Sequence, residues 1–346
     1  MGISLILHKD TSAFNYTLQL ATKETGLRLH LLEKDYWVTL ALKRLSESPY
    51  KDDVVFKGGT SLSKCYKIID RFSEDVDLAI NNKMPAGVTK KLLKNVEAAI
   101  SVDLVARPDN SGKSGLKRTT IHDYAKMVED DGGRDVSEGV KLEITAYSQT
   151  HPCKYMPVES YIAHALRQKG RDDLVLQFQM QPFEVKTLGL ERTFTEKVMA
   201  LIKYSSSQDS TVRLRDKIRH IYDLHQILTK SDEMIFFLQS DYFFDILRSV
   251  TADDRTNKTS NLEWLDRPFG SCQLFGNTEE TWASLESVYF SKLEKIVIGE
   301  LPPPAEIIAA IKLIGERLNV YDCQFRGNIS TIINDNFPKA LRGPKM

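Results

Sequence analysis

The rhythm of apolar and polar positions changes twice along this chain, and each change marks a different kind of element. From about Phe14 to Leu45, Leu31, Leu32, Tyr36, Val38, Leu40, Leu42 and Leu45 stand among charges, with no Pro or Gly after Gly26, which predicts helix. Asp53 to Phe56 (DVVF) is a short apolar strand closed by Gly58-Gly59. Thr60 then opens a second helix, TSLSKCYKIID, in which Leu62, Cys65, Tyr66 and Ile69 share a face, with Thr60 or Ser61 suited to the N-cap. EDVDLAI (74–80) reads as the next strand. MPAGVTKKLLKNVEAAI (84–100) reads as a further helix, with Pro85 and Gly87 near its start.

Residues 107–139 lose this regularity: RPDNSGKSGLKR and EDDGGRDVSEG are rich in Gly, Ser and charge, and predict loops around edge strands such as RTTIHDY. VKLEITAY (140–147) alternates cleanly as a strand, and DLVLQFQMQPFEVKTL (173–188) supplies further strand-like alternation broken at Pro182. After Glu191 the pattern turns helical in FTEKVMALIKYSSS, VRLRDKIRHIYDLHQILTK and DEMIFFLQSDYFFDILRSV. The expected class is α+β: a mixed-sheet core with flanking helices over residues 1–190, and a mainly helical lobe over 191–346 that completes a cleft.

Composition narrows the options. Of the 346 residues, 42% are apolar and 27% charged, the balance of an ordinary globular protein. No apolar run is long enough to span a bilayer, and the N-terminus lacks the apolar core of a signal peptide. Cys65, Cys153, Cys272 and Cys323 are scattered without zinc spacing, which favours reduced thiols and a cytoplasmic location. The 47 basic and 47 acidic residues cancel, which argues against non-specific coating of nucleic acid while allowing a local basic groove.

The chemistry concentrates in GGTSLSK…RFSEDVDLAI, Gly58 to Ile80. Alternation on a strand puts Asp75 and Asp77 on one face and Val76, Leu78 and Ile80 on the other, with Ser73 on the acidic side. Two carboxylates held so close resist joint ionisation unless a cation sits between them, and Mg²⁺ prefers a few carboxylates plus substrate phosphates. Gly58 and Gly59 before a helix let the backbone approach a phosphate, and Thr60 and Ser61 add hydroxyls; Lys64 ends the same segment. Alone, each half reads as a plain turn or a solvated strand; together they describe a phosphate-plus-metal corner. A third acid on a neighbouring strand is supplied by Glu143, which shares its face with Lys141 and Thr145.

FKGGTSLSKCYKIIDRFSEDVDLAI resembles the signature of the AbiEii/AbiGii-type nucleotidyltransferase toxins, a group within the DNA polymerase β-like nucleotidyltransferase superfamily found in bacterial toxin–antitoxin systems. LLEKDYWVTLALKRL (31–45), RTFTEKVMALIKY (192–204) and RHIYDLHQI (219–227) are similar to its other conserved segments. The resemblance implies a polymerase β-like fold with Gly59 and Thr60 in the phosphate turn and Asp75 and Asp77 as metal ligands, joined by Glu143. It implies Lys197 as a triphosphate contact and Asp223 as the acid of the last motif. His220 stands where many relatives carry Asp, which leaves open whether Asp216 shares that role. It further implies two Mg²⁺ ions, an NTP substrate, an RNA acceptor with the tRNA 3′ end foremost, and a cognate antitoxin as partner.

Read from the residues alone, Lys197 is equally a surface lysine. Asp223 is equally a half-buried acid paired with Arg219, four positions away. His220 and His225 read as structural. Lys113, Lys117 and Arg118, and Arg213, Arg215, Lys217 and Arg219, are basic clusters suited to acceptor phosphates or to a solvated face. Two alternatives stand beside transfer to RNA: the same chemistry on a protein hydroxyl, and a nucleotide-binding regulator without turnover.

Overall fold

The computed structural model describes residues 6–80, 84–108, 112–128, 138–207, 209–256 and 262–326. The loop expected over EDDGGRDVSEG falls largely outside them, as does the side chain of Lys113.

The strands are β1 (Val54–Lys57), β2 (Val76–Ile80), β3 (Val105–Ala106), β4 (Gly112–Ser114), β5 (Lys117–Asp123), β6 (Val140–Thr145), β7 (Cys153–Val158) and β8 (Phe183–Leu188). They form one mixed sheet in the order β3-β5-β6-β2-β1-β8-β7, with β4 paired to β5. β2 runs parallel to β6 and β1 parallel to β8, whereas β1/β2, β5/β6 and β7/β8 are antiparallel. The central strands carry the most apolar sequence because both their faces are covered: Val54, Val55, Phe56, Val76, Leu78, Val140 and Leu142 are buried.

The front helices are α1 (Thr11–Thr25), α2 (Leu29–Glu47), α3 (Gly58–Lys64), α4 (Ala86–Ile100), α5 (Tyr161–Gln168) and α6 (Asp172–Gln177). From residue 190 the chain is helical: α7 (Leu190–Ser205), α8 (Ser210–Arg215), α9 (Ile218–Lys230), α10 (Asp232–Gln239), α11 (Asp241–Thr256), α12 (Gln273–Gly276), α13 (Thr278–Leu293) and α14 (Pro304–Phe325). The α+β reading holds.

Several local expectations need correction. The helix expected over Phe14–Leu45 is two helices, because Gly26 adopts φ 70° and closes α1 with a left-handed cap. The helix expected from Thr60 to Asp70 begins at Gly58 and stops at Lys64, so Thr60 and Ser61 lie inside it rather than at its N-cap. DLVLQ is helix α6, and only the part after Pro182 is strand; Leu174 and Val175 alternate as well with a short helix as with a strand. β5 is not an edge, since it pairs with β6 on one side and with β3 and β4 on the other. VRLRDKIRHIYDLHQILTK breaks at Asp216-Lys217 into α8 and α9.

α2 braces the front half with charge. Glu33, Lys34 and Asp35 are successive residues, each 1% exposed. The Glu33 carboxylate accepts from the Met127 and Val128 amides at 2.7 and 3.3 Å. Lys34 pairs with Glu74 just ahead of β2. Asp35 holds Lys64 of α3 at 2.5 Å and accepts from the Tyr161 amide of α5 at 2.9 Å. Buried charges persist only when paired, so this trio fixes four neighbouring segments to one helix.

The helical half is tied back by main chain. Phe72 N–H donates to Ile296 O at 2.7 Å and Ile298 N–H to Asp70 O at 2.6 Å, making an antiparallel bridge between Arg71 and Val297. One continuous apolar cluster runs from Leu7 through the sheet to Tyr321.

Candidate active site

The sheet register sets the site. Asp77 of β2 lies opposite Lys57 of β1 and Glu143 of β6, so three charged side chains stand side by side across three central strands. Asp75 precedes β2 by one residue. These groups line a cleft of about 400 Å³ together with Gly58, Gly59, Lys141, Lys197 and His220.

The two glycines are required by their neighbours as well as by any ligand. Gly58 adopts φ 80°, and a Cβ there would lie 2.1 Å from a carboxylate oxygen of Asp77. A Cβ on Gly59 would lie 2.7 Å from the Arg71 guanidinium and 2.8 Å from Ser73 Oγ. Thr60 Oγ1 donates to Asp75 O at 2.6 Å and lies 3.0 Å from Ser73 Oγ, which pins the turn to the acidic segment. Ser61 Oγ donates to Gly58 O at 2.8 Å.

Asp77 is the acid short of positive charge. Burial, then Asp75 and Glu143, push the Asp77 carboxyl up to about 7. Lys141 answers Asp75 at 2.9 Å, and Lys117 answers Glu143 at 2.9 Å. Among the described residues, no three His, Cys, Asp or Glu side chains are grouped to hold a metal unaided. The donor set still fits a hard divalent cation, since Mg²⁺ commonly takes only one or two carboxylates and completes its shell from substrate phosphates and water.

The opposite wall comes from the helices. Lys197 of α7 is held by Asp223 of α9 at 2.8 Å, and its ammonium lies 3.4 Å from His220 Nδ1. Asp223 is fully buried and receives both arms of Arg71 at 2.7 and 2.8 Å. Burial opposes its charge, but Arg71 and Lys197 hold its carboxyl well below the usual carboxylate range. Burial and then Lys197 keep His220 neutral. Arg71 therefore joins the Gly59 turn to Asp223, and Asp223 joins it to Lys197.

The expected residues thus divide. Gly58, Gly59, Asp75, Asp77, Glu143 and Lys197 meet in the cleft. Thr60, Ser61 and Ser73 support the turn from behind, and Ser73 stands ahead of β2 rather than on it. Asp223 sits behind Lys197, and its partner is Arg71 rather than Arg219. Asp216 is exposed, 3.7 Å from Lys292. Lys64 points elsewhere, to Asp35, and lines a separate cavity with Tyr161 and Arg167. His220 is a cleft residue as well as a structural one.

Sequence reading missed most of the remaining lining. Lys57 pairs with Glu196 at 2.6 Å, and its place beside Asp77 follows only from strand pairing. Arg192 pairs with Asp253, which also accepts from the Gln149 amide at 2.7 Å. Asp254 carries a carboxyl pushed up to about 6 by burial, against the pull of Lys203. Two neighbours were legible: Lys141, two positions from Glu143 on the same strand face, and Lys217 of the basic cluster before the last motif.

A mixed sheet bearing strand acids behind a glycine turn, closed by a helical lysine, defines a nucleotidyltransferase. Residues 40–306 match the model of the nucleotidyl transferase AbiEii toxin family of type IV toxin–antitoxin systems, and the chain belongs to that family. Membership brings an NTP substrate, an antitoxin counterpart and, as is general in the family, a divalent metal. Among solved structures, the chain is similar to MenT4, a nucleotidyltransferase toxin from Mycobacterium tuberculosis H37Rv, at 15% identity and a TM-score of 0.44, covering 88% of this chain and 98% of that one. No curated protein matches the chain. Among the described residues, no helix is long and apolar enough to cross a membrane.

Proposed function

We propose that this nucleotidyltransferase moves a nucleoside monophosphate from an NTP to the 3′-terminal hydroxyl of an RNA, with tRNA the leading acceptor, in the cytoplasm. The observation that carries this reading is the meeting of Gly58-Gly59, Asp75, Asp77 and Glu143 with Lys197 in one cleft.

The Gly58-Gly59 turn lets the triphosphate come against the backbone at the start of α3, where amide N–H groups are free to donate. Lys197, aimed by Asp223, steadies the triphosphate from the helical wall. Asp75 and Asp77, with Glu143, would hold Mg²⁺ (two ions in the full reading), which when bound neutralises phosphate charge and acidifies the attacking hydroxyl. Glu143 takes the proton of that hydroxyl as its oxygen bonds to the α-phosphorus. The bond from the α-phosphorus to the bridging oxygen breaks, and pyrophosphate leaves. Lys141 and Lys117, freed from the acids, remain to balance the incoming charge.

The test is incubation of purified protein with Mg²⁺, total bacterial tRNA and each α-labelled NTP in turn, beside Asp75→Ala/Asp77→Ala. Label entering the tRNA band with the wild type alone is the expected result. Label on protein instead would move the acceptor to a protein hydroxyl. No label anywhere, with NTP binding intact, would sink the reading in favour of a regulator without turnover.

A further inference from the structure

Basic side chains are plentiful around the cleft, but most already hold an acid. Lys57 is taken by Glu196, Lys141 by Asp75, Lys117 by Glu143, Lys197 by Asp223 and Arg118 by Glu97. Arg215 and Arg219 differ: among the described residues, neither side chain makes a hydrogen bond or ion pair. Both line a third cavity, of about 330 Å³, at the junction of α8 and α9 with the end of α13, with Lys292 and Lys295 on the facing wall. Of the lining side chains four are cationic and one is acidic, Asp216, which stands 3.7 Å from Lys292; Lys295 has a partner of its own, so the open cations are Arg215 and Arg219.

Arg219 is also electrostatically close to the catalytic end. Its charge is disfavoured first by burial and then by Arg71, and is supported by Glu74, Asp75 and Asp223. A half-buried guanidinium without a partner, in a pocket of like charges, is completed by an anion from outside. The pocket is too polar for an apolar peptide and lies apart from the triphosphate turn.

We propose that the pocket formed by Arg215, Arg219, Lys292 and Lys295 seats a backbone phosphate of the polynucleotide acceptor, next to its reacting end. This rests on RNA being the acceptor. The contact would position the strand without reading its bases, since phosphates carry no sequence information. Arg219 is a positioning residue in this scheme, and Arg215 and Lys292, both at the surface, hold the strand as it leaves.

The experiment is steady-state transfer to bacterial tRNA by the wild type, Arg215→Ala/Lys292→Ala, and the triple variant that adds Arg219→Ala, at several salt concentrations. We expect KM for tRNA to rise about tenfold or more in the triple variant, with KM for the NTP unchanged. The slope of log affinity against log salt should flatten by about 2 for three lost contacts to a single strand, and by about 1.4 for the double variant. If Arg219→Ala impairs folding, the double variant of exposed residues carries the test by itself. Unchanged tRNA KM and slope, in a wild type that labels tRNA, would overturn the pocket and leave RNA transfer standing. A shifted KM for the NTP with tRNA unaffected would reassign the pocket to the donor and overturn the proposal. A wild type that labels protein and not tRNA removes the acceptor reading and this pocket with it.

Discussion

Gly58 does two things that no other residue can do at that position. Its φ of 80° suits glycine, and the space a side chain would occupy is filled by the Asp77 carboxylate. Gly58→Ala should therefore destabilise the fold by about 1–3 kcal/mol in urea titration and remove transfer activity by displacing Asp77. Asp77 itself carries a pH dependence whose sign can be worked out. Its carboxyl is raised to about 7 in the folded, metal-free protein, above its unfolded value, so its protonated form is the one the fold favours. Stability from this group is full at low pH and is lost as pH rises through 7. Asp77→Asn should then raise Tm of the metal-free protein at pH 8, with the gain shrinking at pH 5, while abolishing transfer at both. A gain that grew toward low pH would refute the assignment. These residues were legible because paired acids and paired glycines leave a mark in one short segment. Asp253 and Asp254 leave none, since they reach the cleft only through the packing of α11 against α7, and His220 was read from its motif as structural rather than as a cleft residue.

At the scale of elements, α2 shows why a charged run can be core. Its Glu-Lys-Asp trio reads as a polar interruption of a helix, yet each member is buried against a different element. Asp35→Ala strands the Lys64 ammonium and should cost about 3–5 kcal/mol, whereas Asp35→Ala/Lys64→Met should recover much of the loss. Chemical denaturation of the two variants checks this, and equal losses in both would show that the pair is not coupled. The same pairing explains why Lys64 was misplaced among nucleotide ligands: its position in GGTSLSK is adjacent to the turn, but α3 rotates it toward α2. The strands were read well where the pattern was clean, as an apolar run in β1 and as alternation in β2 and β6. β7 and α5 were not anticipated; in β7, CKYMPV shows no two-residue alternation, with the adjacent Lys154 and Tyr155 both exposed.

For the whole molecule, the shift in composition near residue 190 marks where the sheet ends but not where the core ends. Apolar packing is continuous across it, and the segment at 296–298 is hydrogen-bonded to 70–72. The chain should consequently unfold in a single calorimetric transition, with van't Hoff and calorimetric enthalpies equal; two resolved transitions would mean the halves are independent. The bridge between Arg71 and Val297 reaches further than stability. Arg71 aims Asp223, and Asp223 aims Lys197, so a seam whose 296–298 side is far in sequence from every cleft residue governs how the cleft is set. For a cell that carries this gene, the seam is a second place where a chance mutation disarms the toxin, and survivors of its expression would include chains whose catalytic residues are all intact.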